Sequence, residues 1–270
     1  MSDCSKEFGI QRISPDGRSA AQDHIAREEP LEIRVEGRSI AVAMRTPGHD
    51  RELAAGFLLS EGVITSPEEI FEISECPGNA KNTKEMGNLV EVMLMKGNSF
   101  DPERLTRHVF SSSSCGICGK ATIESVFGNF PRIEDCREVS PVQIAAYPDK
   151  LRAAQEAFEK TGGLHASAIF DPEGEIVVLR EDVGRHNALD KVIGWSLLED
   201  MLPLREHTLL LSGRLSFELM QKALAAGIPT VAGISAPSSL AVEFARESGQ
   251  TLIGFLRGET MNIYAGKPGN

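Results

Sequence analysis

The sequence predicts an α/β fold, a mixed sheet covered by helices, preceded by a smaller α+β part. Three observations predict it. From residue 147 onward, short apolar strands alternate with amphipathic helices of about ten residues, the pattern of a sheet buried on both faces. Residues 31–94 show strand-like alternation around one helical stretch. The composition is that of an ordinary globular protein, with 270 residues, 41% hydrophobic and 25% charged.

The elements follow in order. Residues 1–30 have no clear period and read as an N-terminal arm. Leu31, Ile33 and Val35, then Ile40, Val42 and Met44, alternate around Glu36-Gly37 and read as a hairpin. Asp50 is placed to cap a helix through Ser60, with Leu53, Ala54, Phe57 and Leu58 on one face. Leu89 to Leu94 reads as a strand. A serine run, Ser111 to Ser114, leads into Cys115, and Lys120 to Phe127 reads as a short helix.

Asp149 to Lys160 has the spacing of one helix, ended by Gly162-Gly163. His165–Phe170 and Ile176–Arg180 are strands around Asp171-Pro172-Glu173-Gly174. Asn187 is placed to cap the next helix. Then come strand Thr208–Leu211, helix Ser216–Ala226, strand Thr230–Ile234, helix Ser239–Ser248, strand Thr251–Leu256 and a short strand Met261–Tyr264. We divide the chain into an arm (1–30), an α+β region with the cysteine loop (31–140) and an α/β region (141–270). The second boundary falls between about 135 and 147, with no linker to mark it.

Charge and composition exclude several functions. The net charge of −11 argues against a general nucleic-acid binder, which needs a basic footprint. The last 70 residues are less acidic, with six Lys/Arg against five Asp/Glu. No apolar run approaches the roughly 18 residues of a membrane span. The start, Met1 to Glu7, lacks the apolar core of a signal peptide, so the expected location is the cytoplasm. Five cysteines make no disulfide scaffold, and in a reducing compartment they point to burial, metal or chemistry.

The sharpest motif is Cys115-Gly116-Ile117-Cys118-Gly119. Such a turn brings two sulfurs within reach of each other, and its glycines leave them uncovered. A following helix start and Lys120 favour the reactive thiolate. Structural zinc needs four ligands, and Cys4, Cys76 and Cys136 form no second pair, so no metal is expected. A thioredoxin-like redox pair and a sulfur carrier with one nucleophilic cysteine both stay open, as do two incidental cysteines.

A second constellation lies at the strand ends. Ile176–Arg180 runs into Glu181-Asp182-Val183-Gly184-Arg185-His186-Asn187, Thr208–Leu211 into Ser212-Gly213-Arg214, and Thr230–Ile234 into Ser235-Ala236-Pro237-Ser238. Each turn opens a helix, where free N–H groups and the dipole favour phosphate. Arg185 and Arg214 add charge-assisted donors. Neither the Walker spacing nor G-x-G-x-x-G is present. His165-Ala166-Ser167 lacks the glutamate of the zinc deaminases, and no P-C-x-x-C follows it. Taken alone, His165 and His186 read as hydrogen-bonded structural histidines.

These residues resemble the formate dehydrogenase accessory proteins of the FdhD/NarQ sulfurtransferase family, over roughly residues 30–265. The resemblance rests on Arg45-Thr46-Pro47-Gly48, Ala55-Gly56-Phe57-Leu58, Ser60-Glu61-Gly62 and Cys115 to Gly119. It continues through Gly163-Leu164-His165, Glu181 to Lys191, Ser212-Gly213-Arg214, Ser235 to Ser238 and Gly254-Phe255-Leu256-Arg257-Gly258. It implies a cytoplasmic, homodimeric sulfurtransferase with a cytidine-deaminase-like C-terminal part. Such a protein takes sulfur from a cysteine desulfurase as a persulfide. It passes that sulfur to the molybdenum bis(molybdopterin guanine dinucleotide) cofactor destined for formate dehydrogenase.

By the resemblance, Cys115 carries the persulfide, Cys118 assists, and Phe255, Leu256, Arg257, Gly258, Glu259 and Thr260 form the cofactor-binding stretch. The residues themselves add Asp182, Arg185, Ser212, Arg214, Ser235 and Ser238; the purine that the resemblance implies is read at its edge by Asp182 or by backbone groups after Leu256. Two other functions compete: a cofactor chaperone without catalysis, and a dithiol oxidoreductase.

Overall fold

The structure, a computed structural model, describes residues 4–15, 17–75, 87–96, 126–127, 129–134, 138–267 and 269. Cys115, Cys118 and the helix expected at Lys120–Phe127, apart from its last two residues, lie outside these.

The chain begins with a ribbon rather than an unstructured arm. Strands β1 (Ser5–Ser14) and β2 (Gly17–Ala26) pair antiparallel along their whole length, from Ser5 opposite Ala26 to Ser14 opposite Gly17. The ribbon is mostly exposed, so polar residues occupy both faces and the alternation that marks a half-buried strand is missing.

A four-stranded sheet follows, in the order β4-β3-β6-β5. It comprises β3 (Glu29–Val35), β4 (Arg38–Arg45), β5 (Ile70–Glu75) and β6 (Leu89–Leu94). The hairpin between β3 and β4 turns at Glu36 and Gly37, both with positive φ. Leu31, Ile33, Val35, Val90, Val92 and Ile73 face inward onto α1 (Asp50–Ser60) and its surroundings.

The six-stranded sheet has the order β12-β11-β10-β9-β7-β8. Its strands are β7 (His165–Phe170), β8 (Ile176–Asp182), β9 (Thr208–Leu211), β10 (Thr230–Gly233), β11 (Thr251–Arg257) and β12 (Thr260–Ala265). β9, β10 and β11 are parallel, and β7 runs against β9 and β8.

Alternate residues bury on opposite faces. Ile169, Leu209, Leu211, Val231 and Leu252 join the core under α5 (Arg185–Leu198), α6 (Phe217–Ala225) and α7 (Ser239–Ser248). Ala168, Phe170, Leu210, Ala232 and Ile253 form a second core under α2 (Pro141–Ala145) and α3 (Tyr147–Ala154). The fold is thus mixed α/β, as expected. The larger core runs from Leu31 to Ala265 and takes in residues of both sheets.

Helices α1 and α5 join the two sheets at close range. A Cβ on Gly56 would stand 1.9 Å from the Asp190 carbonyl oxygen, and one on Gly194 would stand 1.8 Å from that of Glu52. Around the crossing, Arg180 holds Glu52 through two hydrogen bonds of 2.6 and 2.8 Å. Lys222 reaches both carboxylate oxygens of Asp190 at 2.9 Å and the hydroxyl of Ser60 at 2.8 Å.

Three local expectations are corrected. The helix expected at Asp149–Lys160 is broken at Gln155 into α3 and α4 (Glu156–Thr161), because the Glu181 carboxylate accepts the N–H groups of Ala157 and Phe158 at 2.9 and 2.8 Å. Asp50 does not cap α1; it takes a two-pronged hydrogen bond from the buried Arg45, and His49 is the cap position. Asn187 does not cap α5, which already begins at Arg185; its amide donates to the Met44 carbonyl and to Asp182. Among the described residues no helix is long and apolar enough to cross a membrane.

Candidate functional site

Strand direction gathers the predicted turns at one edge of the six-stranded sheet. His165 opens β7 opposite Asp182 at the end of β8, and Ser167 faces Leu211 at the end of β9. Ser212 extends that ladder, accepting the Ala166 N–H on its hydroxyl at 2.9 Å. The turn after β9 is tied to the turn after β10, since Leu215 donates to the Ala236 carbonyl and Ser238 to that of Leu215. Phe255 N–H then donates to the Ser235 carbonyl, and Arg257 Nε reaches the Ile234 carbonyl at 3.4 Å. The carboxyl ends of β8, β9, β10 and β11 therefore lie along one edge of the sheet, where the switch-point rule sets a ligand crevice.

The side chains gathered at this edge are cationic. Arg185 is the first residue of α5, where free N–H groups also point outward. Its Nε is buried and has no hydrogen-bond partner. Gly213 lies between His165 and Arg185: a Cβ there would stand 3.2 Å from His165 Nδ1 and 3.6 Å from Arg185 Cδ. Arg214 is exposed beside it. Burial, and then the charges of Arg185 and Arg214, hold the His165 imidazole below its ordinary value, so it is neutral near pH 7. His186 pairs with Glu218 at 3.1 Å, and that hydrogen bond holds the Glu218 carboxyl below its usual range despite burial. Such a cluster can bind an anion through charge-assisted hydrogen bonds.

The structure divides the predicted site residues. Arg185, Ser212 and Arg214 lie on neighbouring turns of this edge, with Ser235 on the adjoining turn. Ser238 is occupied as the cap of α7, accepting the Ala241 N–H. Phe255 is partly exposed in a left-handed conformation, φ 51, with Arg257 over its ring at 5.7 Å. Gly258 and Glu259 form the exposed turn of the β11–β12 hairpin, and Thr260 donates to the Arg257 carbonyl. Leu256 is fully buried in the second core and can offer only its backbone.

Asp182 cannot read a purine edge in this arrangement. It is 0% exposed, and both oxygens are spent. Oδ1 accepts Gly184 N–H and Asn187 Nδ2; Oδ2 accepts Thr46 N–H and Lys191 Nζ, the latter at 2.7 Å. It ties the Arg45–Gly48 loop to the start of α5. The sequence reads His165 and His186 as structural histidines; the structure sets His165 beside Arg185 at this edge and pairs His186 with Glu218, and the place of His165 at a strand start is the one local signal for it. Cys115 and Cys118 lie outside the described residues.

Comparison with known proteins bears on this geometry. The model of the FdhD/NarQ family matches residues 26–269. The chain belongs to the FdhD/NarQ family. Among its FdhD/NarQ relatives, a sulfur carrier protein FdhD of Streptomyces avermitilis is 51% identical over 261 residues, covering 96% of this chain and 93% of that protein. One from Saccharolobus solfataricus is 43% identical, covering 96% and 95%. A crystal structure described as a putative formate dehydrogenase accessory protein, from Desulfotalea psychrophila, superposes with a TM-score of 0.76 at 27% identity, covering 97% of each chain.

Proposed function

We propose that this protein is a sulfur carrier for the maturation of formate dehydrogenase. The thiolate of Cys115 attacks the terminal sulfur of a cysteine desulfurase persulfide. A new persulfide forms on Cys115 and the desulfurase leaves as its thiolate. The acceptor is the molybdenum bis(molybdopterin guanine dinucleotide) cofactor, bound as cargo with its phosphates against the Arg185–Arg214 cluster. Phe255, Arg257 and the turn at Gly258-Glu259-Thr260 lie along its nucleotide end. Attack of Cys118 on the inner sulfur then releases hydrosulfide to the metal and leaves a Cys115–Cys118 disulfide for a thiol to reopen. The reading places the protein in the cytoplasm as a homodimer, with a cytidine-deaminase-like C-terminal layer.

The observation that carries this reading is the cationic cluster at the gathered strand ends, with the buried Arg185 Nε left unpartnered. A buried donor without a partner is costly, and an anionic ligand would satisfy it. The names of the relatives, sulfur carrier proteins and a formate dehydrogenase accessory protein, support the chemistry.

The test is intact-mass spectrometry of anaerobic protein after incubation with a cysteine desulfurase and cysteine, followed by peptide mapping. One added sulfur on Cys115, removable by reductant and absent in Cys115→Ala, is expected. No added sulfur, with both thiols free, would leave a cofactor chaperone as the better reading. A bound zinc ion on the cysteines would overturn both.

A further inference from the structure

We propose that the strand-end cluster binds a diphosphate with uptake of one proton at His165. The inference deepens the reading above and rests on it, since it needs the cluster to be a phosphate site. The geometry supports it directly. His165 and Arg185 flank the same glycine, Gly213, so the imidazole and the guanidinium stem lie together. Arg214 follows on the same turn.

Among the described residues, four charged or titratable groups act on His165. Arg185, Arg214 and His186 oppose its protonation, and Asp182 favours it. Asp182 is already committed to Lys191, and His186 to Glu218. The cluster therefore carries excess positive charge, and burial adds to the pressure that keeps His165 neutral. The two arginines cannot respond to a ligand by changing protonation, because guanidinium stays charged throughout the accessible range. Histidine can. A diphosphate set against Arg185 and Arg214 reverses the sign of the field at His165. The imidazole then gains a proton from solvent and becomes a third charge-assisted donor to the same oxygens. Binding consumes a proton, so affinity rises as pH falls.

The test uses the full-length protein and GDP-mannose, a guanosine diphosphate with both phosphates esterified, so that the ligand itself does not titrate near neutrality. Calorimetry at pH 7 in two buffers of different protonation enthalpy counts the protons taken up. Affinity is followed from pH 6 to 8. Net uptake is expected, with an affinity that grows severalfold toward pH 6. A single proton limits that gain to about tenfold between pH 7 and pH 6. In His165→Asn and His165→Gln, checked for native circular dichroism, the uptake is lost and the pH dependence flattens. Should one variant fail to fold, the other and the wild-type imidazole signals, recorded by NMR with and without ligand, carry the same comparison. Binding by the wild type without proton uptake, or uptake unchanged in both variants, overturns the proposal and leaves the phosphate site standing. No binding by the wild type at any pH overturns the phosphate site and the proposal together.

Discussion

Lys191 Nζ lies 2.7 Å from Asp182 Oδ2, and both side chains are almost wholly buried. Lys191 also donates to the Thr46 carbonyl at 2.8 Å, so one ammonium joins the small sheet's exit loop to the edge of the large sheet. The pair borders the strand-end cluster, because Asp182 also accepts the Gly184 N–H just ahead of Arg185.

Lys191→Met removes the cation and leaves Asp182 buried without its partner. The expected cost is about 3–5 kcal/mol of stability. The double substitution Lys191→Met with Asp182→Asn recovers part of it. Urea unfolding of the four proteins of the cycle measures the coupling; additive losses would refute it.

Gly56→Ala places a methyl group against the Asp190 main chain at the α1–α5 crossing. Backbone cannot yield as a side chain tip does, so the helices must part. The expected loss is about 3 kcal/mol, the upper end for overpacking. It is read as a lowered denaturant midpoint at unchanged slope. Gly37→Ala, at an open hairpin turn with nothing within 4 Å, is the control for positive φ without a clash.

Arg185→Ala removes the unpartnered donor of the cluster. GDP affinity should fall about tenfold or more, the usual worth of a hydrogen bond to a charged group. Arg257→Ala, whose guanidinium is exposed and touches the Ile234 carbonyl at the edge of the β10 turn, should weaken GDP less. Unchanged affinity in both variants, by calorimetry, would move the phosphate site elsewhere.

Glu52 gives a pH signature. Burial opposes its ionisation, but the hydrogen bonds from Arg180 and His49 outweigh this, and the carboxyl sits below its ordinary 4.5. A depressed carboxyl stabilises the fold above the unfolded-state value, and that stability is lost as pH falls through the folded-state value. The stability difference between wild type and Glu52→Gln should therefore be full at pH 6–7 and shrink below about pH 4.5. Unfolding curves at pH 7, 5 and 4 check it; a difference that does not change with pH would refute it.

The elements from Thr208 to Ala265 agree with the sequence pattern to within a residue or two, because apolar alternation and glycine stops such as Gly227 and Gly249 are local signals. Helix starts are less legible wherever a polar residue bonds something other than the helix end. Asp50 looked like a cap but belongs to Arg45, and Asn187 bonds a carbonyl 143 residues away. The break at Gln155 depends on Glu181 from another strand, which no helical period can reveal.

The sequence by itself determined the α/β class, the strands of the large sheet, the cysteine motif and the family, since each depends on residue types in a fixed local order. Tertiary structure decided which polar residues serve the site and which hold the fold. Asp182 and Arg185 stand three positions apart in one motif. The end of β8 sets Asp182 against Lys191 of α5 and the Thr46 N–H, while the start of α5 leaves the Arg185 Nε unpartnered. A carboxylate's role follows from which donors the fold brings within hydrogen-bond distance: for Asp182 these are Gly184, Asn187 and Lys191 of the following turn and helix, and Thr46, which is remote in the sequence.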